Sequence, residues 1–185
     1  MLDSISPQTK KTRILDAAED VVMSLGAAHL TFDELVKQTG LSKGGILYHY
    51  PSKKALLRAM VQRMIDSFEE KRLRIAEEIE QTGLVGVKTY ILASFEKSDR
   101  YHQSSTAVMA AAANDPELLE VVKEHYKRNF AEIRAFGKNS VLAMLIFLAV
   151  DGVWMLDSLQ LCTLDEIERN DLKRLLLNMA DKKNN

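Results

Sequence analysis

A chain of 185 residues, 46% hydrophobic and 28% charged, is long enough to bury a core and too apolar to be disordered. Its net charge of −1 excludes a polycation that coats nucleic acid indiscriminately, and its single cysteine, Cys162, excludes an intrachain disulfide. Eight glycines and three prolines leave few turns, and no segment alternates polar with apolar residues, so an all-α fold of long helices is expected.

Ser6 followed by Pro7 predicts the start of a first helix, with Ser as cap and Pro at the first helical position. Ile14, Ala18, Val21 and Leu25 recur on one face until Gly26 ends it. Thr31 followed by Glu34 makes a capping box and opens a short second helix to about Thr39. Gly40 can take the left-handed conformation that ends a helix. Leu41 is then expected as a buried plug, and Ser42 caps a third helix from Lys43 to about Tyr48. Two short helices joined by a three- or four-residue turn containing Gly make a helix-turn-helix. Gly44 and Gly45 are poor helix formers in that first turn. Their cost makes sense where the backbone closely approaches a phosphate or a base edge.

Ser52 caps a fourth helix after Pro51, predicted over residues 53–80 with a stop near Gly83. Leu56, Leu57, Met60, Val61, Met64, Ile65 and Phe68 lie along it at helical spacing. At about 1.5 Å per residue it spans roughly 40 Å and joins the first three helices to everything beyond. Five more helices are predicted over 84–97, 99–113, 116–136 (behind an Asp115 cap and Pro116), 141–161 and 165–180, nine in all. Residues 141–150 are ten consecutive apolar residues, yet Asp151 and Asp157 interrupt the segment. A membrane span needs about 20 predominantly apolar residues, so a buried or dimer-forming helix is expected instead. Ile167, Leu172, Leu175, Leu176 and Met179 make one stripe of the last helix.

Residues 1–54 hold seven basic residues (Lys10, Lys11, Arg13, Lys37, Lys43, Lys53, Lys54) and six acids (Asp3, Asp16, Glu19, Asp20, Asp33, Glu34), a net of +1. Affinity for DNA therefore depends on where the charges sit. Lys10, Lys11, Arg13, Lys43, Lys53 and Lys54 are expected at or near helix N-termini, and the acids on other faces.

The string SKGGILYHYPSKKALL resembles the signature of the tetracycline-repressor (TetR) family of bacterial transcription regulators. The likeness covers residues 10–64: a first helix ending at Gly26, the capped Thr31 helix, Gly40-Leu41-Ser42, Lys43-Gly44, His49 with Tyr50, and Pro51-Ser52-Lys53. Leu47, Gly45 and Val36 depart from the commonest family pattern. The resemblance implies an N-terminal helix-turn-helix DNA-binding domain over 1–52 and a helical ligand-binding and dimerisation domain over 53–185. It implies a cytoplasmic homodimeric regulator, a repressor bound to a palindromic operator on double-stranded DNA. Ser42, Lys43, Gly44, Gly45 and Tyr48 should face the groove, with Thr31, His49, Tyr50, Lys53 and Lys54 on phosphates.

No catalytic constellation stands out. His29, His49, His102 and His125 show no metal-ligand spacing, and Cys162 has no basic neighbour close in sequence. Neither an enzyme, nor a metal, nor a cofactor is expected. The opening residues MLDSISPQ carry no basic or apolar run, so no secretory leader is expected. A small-molecule pocket in the second half is implied by the family likeness. Its candidate lining is Met60, Met64, Phe68, Tyr90, Phe95, Met109, Tyr126, Phe130, Trp154 and Met155. Being mostly Met and aromatic, it favours a small apolar or aromatic ligand. The alternative is a DNA-binding protein whose second half contacts a protein partner.

Overall fold

The structure, a computed structural model, describes residues 9–79, 84–96, 109, 115–159 and 161–181. Among these residues there are eight α-helices and no strand. The first four are α1 (Lys10–Leu25), α2 (Phe32–Thr39), α3 (Lys43–His49) and α4 (Lys53–Glu78). The others are α5 (Val85–Phe95), α6 (Pro116–Ala135), α7 (Ser140–Ser158) and α8 (Glu166–Asp181). The helix expected over 99–113 lies outside the described residues except at Met109, which is helical.

Local chemistry sets the boundaries. Thr9 caps α1, its Oγ1 accepting from the Thr12 amide at 3.2 Å. The helix therefore begins at Lys10; the Ser6-Pro7 start lies outside the described residues. Thr31 Oγ1 accepts from the Glu34 amide at 3.2 Å and opens α2. The Glu34 carboxylate meets Lys37 at 3.1 Å, so this acid serves a neighbouring lysine on the helix surface. Gly40 ends α2 in the left-handed conformation (φ 64°, ψ 11°), where a Cβ would be strained. Ser42 Oγ accepts from the Gly45 amide at 3.1 Å and opens α3.

The chain forms two compact units, Met1–Met64 with Arg100–Val121, and Ile65–Asp99 with Val122–Asn185. The division falls inside α4 and α6, which both contribute residues to each unit. In the first unit Ile14, Ala18 and Val21 of α1, Leu35 of α2, Ile46 of α3, and Leu56, Met60 and Val61 of α4 are buried. A side chain of this size contributes on the order of 1.5–3 kcal/mol when fully buried. The Arg13 guanidinium donates to the Thr39 carbonyl and ties α1 to the end of α2. Leu41, expected as a buried plug, is only half-buried; its amide donates to Thr39 Oγ1 at 3.2 Å and holds the turn.

In the second unit Leu84, Val87, Tyr90, Ile91, Ile133, Ala143, Ile146, Phe147, Val150, Leu176 and Ala180 form one core. The Leu84 amide donates to the Ala180 carbonyl at 3.0 Å, and Lys88 Nζ meets Asp181 at 2.5 Å, fastening α5 to α8. The stripe expected on the last helix splits accordingly. Leu176 is buried inside its own unit, whereas Ile167 and Leu175 are exposed. On α7, Ala143, Ile146, Phe147 and Val150 face inward. Val141, Leu145, Leu148, Gly152, Met155 and Leu159 are exposed, at steps of four and three residues. By length and composition Gly137–Ser158 is long and apolar enough to cross a membrane, Asp151 and Asp157 notwithstanding.

Candidate nucleic-acid interface

Of the residues on α3, Ile46 is fully buried and anchors the helix in the first unit. Ser42, Lys43, Gly44, Gly45 and Tyr48 are all exposed, Tyr48 at 85%. A tyrosine this open on a seven-residue helix has no role in the core. Its ring meets His49 edge-on, 5.2 Å between centroids. A Cβ on Gly44 would meet nothing within 4 Å. The fold itself therefore does not require glycine there, and the absent side chain leaves bare backbone for an approaching surface. Gly45 differs, since its Cβ would lie 3.2 Å from Ser42 Oγ and press on the helix cap.

The charged groups around α3 are already partnered. Lys43 Nζ lies 2.9 Å from Asp33 Oδ1, both side chains being exposed, so this acid of α2 shares the face of the lysine instead of lying elsewhere. The Lys53 ammonium donates to the Ala27 carbonyl at 2.9 Å. Lys54 meets both Asp115 (3.2 Å) and Glu117 (2.7 Å). Thr31 is exposed, with its hydroxyl engaged as the α2 cap. Tyr50 departs from expectation, for it is 3% exposed, with its hydroxyl 3.5 Å from the Lys11 carbonyl. Burial raises its phenol pKa, and the ring is a core residue, not a phosphate contact. Sequence reasoning passed over Arg63, whose guanidinium reaches Asp16 at 2.5 Å and Glu19 at 3.5 Å and fixes α4 against α1. An Arg on a helix whose other inward residues are apolar is the signal that marks it.

The proposed ligand lining is divided between the two units. Met60 is buried in the first unit's core, and Met64 and Met109 belong to that unit too. Met155 is 56% exposed on the outer side of α7. In the second unit, Phe68, Phe95, Tyr126 and Phe130 pack against the core that contains Tyr90. The hub is Phe147, absent from the sequence-based lining, with Tyr90, Phe130 and Tyr126 at 4.6, 5.3 and 5.9 Å between ring centroids. Trp154 is half-buried two turns further along the same helix.

Asp151 was also missed. The Tyr90 hydroxyl donates to its carboxylate, and Tyr126 hydrogen-bonds it as well. Burial raises the Asp151 pKa, and the two phenols only partly offset this. Burial first, then the neighbouring carboxylate, raises both tyrosines. A lone acid inside an apolar helix needs donors across from it, and that requirement was its sequence signal. The Arg72 guanidinium lies 5.6 Å above the Tyr90 ring and donates to Glu69 (3.1 Å), Asn129 and the Gly86 carbonyl (each 3.4 Å). Cys162 has a basic neighbour in space, Arg169, at 3.6 Å, brought there by a loop that sequence spacing does not reveal. That guanidinium is held by Asp157 at 2.7 and 2.8 Å. Among the described residues no group of three or more His, Cys, Asp or Glu could hold a metal ion.

Comparison with known proteins places this arrangement. Residues 14–60 match the profile of bacterial regulatory proteins of the tetR family, and residues 86–181 match the tetracyclin repressor-like C-terminal domain. The HTH-type transcriptional regulator RutR of Escherichia coli K12 is 30% identical over 112 residues, 60% of this chain and 52% of RutR. The HTH-type transcriptional regulator EthR of Mycobacterium tuberculosis H37Rv is 26% identical over 117 residues, 63% of this chain and 54% of EthR. The chain thus spans about half the length of the curated relatives it matches. Among solved structures, a TetR-family regulator from Rhodococcus sp. superposes with a TM-score of 0.70 at 15% identity, covering 92% of this chain and 96% of that one. The multidrug binding protein EbrR complexed with malachite green gives 0.70 at 18% identity, covering 92% and 98%. With both halves matched in order along one chain, the protein belongs to the tetracycline-repressor family of bacterial transcription regulators.

Proposed function

We propose that this chain is a cytoplasmic DNA-binding repressor that holds a palindromic operator as a homodimer and is released by a small aromatic molecule. The exposed side of α3 carries the reading: Ser42, Lys43, Gly44, Gly45 and Tyr48 stand clear while Ile46 is fully buried behind them. Such a helix, short and open, suits insertion into a major groove. Residues 1–52 are the DNA-binding domain and 53–185 the ligand-binding and dimerisation domain. Thr31, His49, Lys53 and Lys54 flank α3 and serve the phosphates, Lys43 a base. Each lysine exchanges a local partner, described above, for an anionic oxygen of DNA.

Dimerisation is supported by the exposed apolar residues of α7 and α8, Val141, Leu145, Leu148, Met155, Ile167 and Leu175 among them. The same surface gives Gly137–Ser158 a partner without a bilayer. For the ligand, the rings of Phe68, Tyr90, Tyr126 and Phe130 favour an aromatic compound, and Asp151 beside them favours one bearing a hydrogen-bond donor or a positive charge. A hundredfold release from DNA requires about 2.7 kcal/mol of differential affinity between the two conformations.

Selection from a randomised duplex library tests the reading. The chain should enrich a palindrome whose half-sites lie about one helical turn apart. Lys43→Ala should cost about 1–3 kcal/mol and relax preference at one position, while Lys53→Ala should weaken all sequences evenly and flatten the salt slope by about one unit. Failure to enrich any sequence would remove the repressor assignment.

A further inference from the structure

The first turn of α6 returns to the first turn of α4 within one compact unit. Lys54 Nζ lies 2.7 Å from Glu117 Oε2 and 3.2 Å from Asp115 Oδ2. Lys54 follows Lys53 at the start of α4, five residues after the end of α3. Two carboxylates on one ammonium leave a net charge of −1 at a point where the proposed function brings a phosphate. The hydrogen bond that Lys54 donates to Glu117 is the leading reason that its pKa is raised. Carboxylate and phosphate oxygens offer the ammonium the same chemistry, and ion pairs this exposed exchange readily.

We propose that Asp115 and Glu117 compete with a DNA phosphate for Lys54, so that the start of α6 acts as an internal brake on operator binding. The inference rests on the reading of the first turn of α4 as a phosphate contact. In the free chain the brake is engaged, so Lys54 adds less to affinity than an unopposed phosphate contact would. Binding DNA with Lys54 requires the ammonium to leave both acids, and the two carboxylates then repel the incoming backbone. Removing their charge should release a full phosphate contact.

The variants can be chosen to keep the helix intact. Asp115 also caps α6, its Oδ1 accepting from the Glu117 amide at 3.0 Å. Asn caps as well as Asp, so Asp115→Asn removes charge without removing the cap. Glu117 is 72% exposed at its side chain, so Glu117→Gln disturbs no packing. Operator titrations over a range of salt, on the full chain, would compare four proteins. These are the wild type, Lys54→Gln, the Asp115→Asn/Glu117→Gln pair, and all three changes together.

The charge-neutralised pair should bind roughly eightfold more tightly at about 0.1 M salt, with the gain vanishing near 1 M and the salt slope steeper by about one unit. Lys54→Gln alone should weaken binding, by less than it does in the neutralised background, where it should erase the gain. A gain that survives Lys54→Gln is a diffuse field effect and overturns the proposal. So does a wild type that loses affinity with Lys54→Gln while neutralisation changes nothing, because Lys54 is then unopposed. If the pair fails to melt like the wild type, Glu117→Gln alone decides, with about half the effect expected. A chain that binds no duplex refutes the functional reading; one that binds, with all variants alike, refutes the brake alone.

Discussion

At the scale of single residues, Gly44 and Asp151 are two of the described places where the chain departs from what its own fold would choose. A Cβ at Gly44 meets open space, and the residue lies inside a helix with ordinary backbone angles. Gly44→Ala should therefore stabilise the protein by about 1 kcal/mol, as helix propensity dictates. It should weaken operator binding by about 1–3 kcal/mol if the bare backbone meets DNA. Thermal melting and a DNA titration on one preparation check both signs, and a variant improved in both would remove Gly44 from the interface. Asp151 poses the opposite case, a carboxyl whose burial lifts its pKa above the unfolded value of 3.8. The folded chain then holds this proton to higher pH than the unfolded chain does. Stability due to Asp151 is accordingly present below pH 3.8 and is lost as pH rises through the folded pKa. Compared with Asp151→Asn, which cannot ionise, the wild type should lose relative stability across that window. Denaturant titrations at several pH values measure the difference, and a constant gap would place the carboxyl in a solvated environment.

Between residues and the whole chain, the helices differ in how much of their role is local. Caps are local: Thr31 and Ser42 accept from amides three residues on, and the Gly40 amide donates to the Val36 carbonyl four residues back, which is why α2 and α3 could be read from sequence. The burial of Tyr50, the partners of Lys54 and the split of the last stripe depend on contacts distant in sequence, and the periodicity of one helix carries no trace of them. α7 shows the limit well. Its sequence is apolar on all sides, so the 3.5-residue row of Val141, Leu145, Leu148, Gly152, Met155 and Leu159 becomes visible only once the inward residues are known. That spacing is the knobs-into-holes period of paired helices, and a Gly in the middle lets two backbones approach. Its added Cβ would meet nothing within 4 Å in the protomer. Gly152→Leu should thus leave the protomer folded and weaken self-association at least about tenfold. Leu176→Ala, inside the core, should instead cost about 2–5 kcal/mol of folding stability. Sedimentation and melting curves for the two variants should separate in opposite ways; a Gly152→Leu dimer as tight as wild type would put the seam elsewhere.

For the whole molecule the question is why one protomer should not suffice. The chain carries a net charge of −1, and the lysines nearest α3 begin in ion pairs or hydrogen bonds of their own. A single α3 of seven residues offers only a few groups to the bases. Two such helices spaced one turn of DNA apart sum their binding free energies on a palindrome, which turns weak half-site binding into specific occupancy. Leu145→Glu, on the exposed row of α7 and away from every residue assigned to DNA, separates the two contributions. The variant should be monomeric at micromolar concentration, with wild-type helical content. It should keep weak, salt-dependent binding to any duplex and lose preference for the selected palindrome by about 10³-fold or more, the lower end of usual specificity ratios. Wild-type binding should steepen with protein concentration as dimers form, and the variant's should not. Titrating both proteins on the full palindrome and on one half-site measures this directly. If the monomeric variant held the full palindrome as tightly as the wild type, specificity would reside in one protomer, and the exposed faces of α7 and α8 would need another partner.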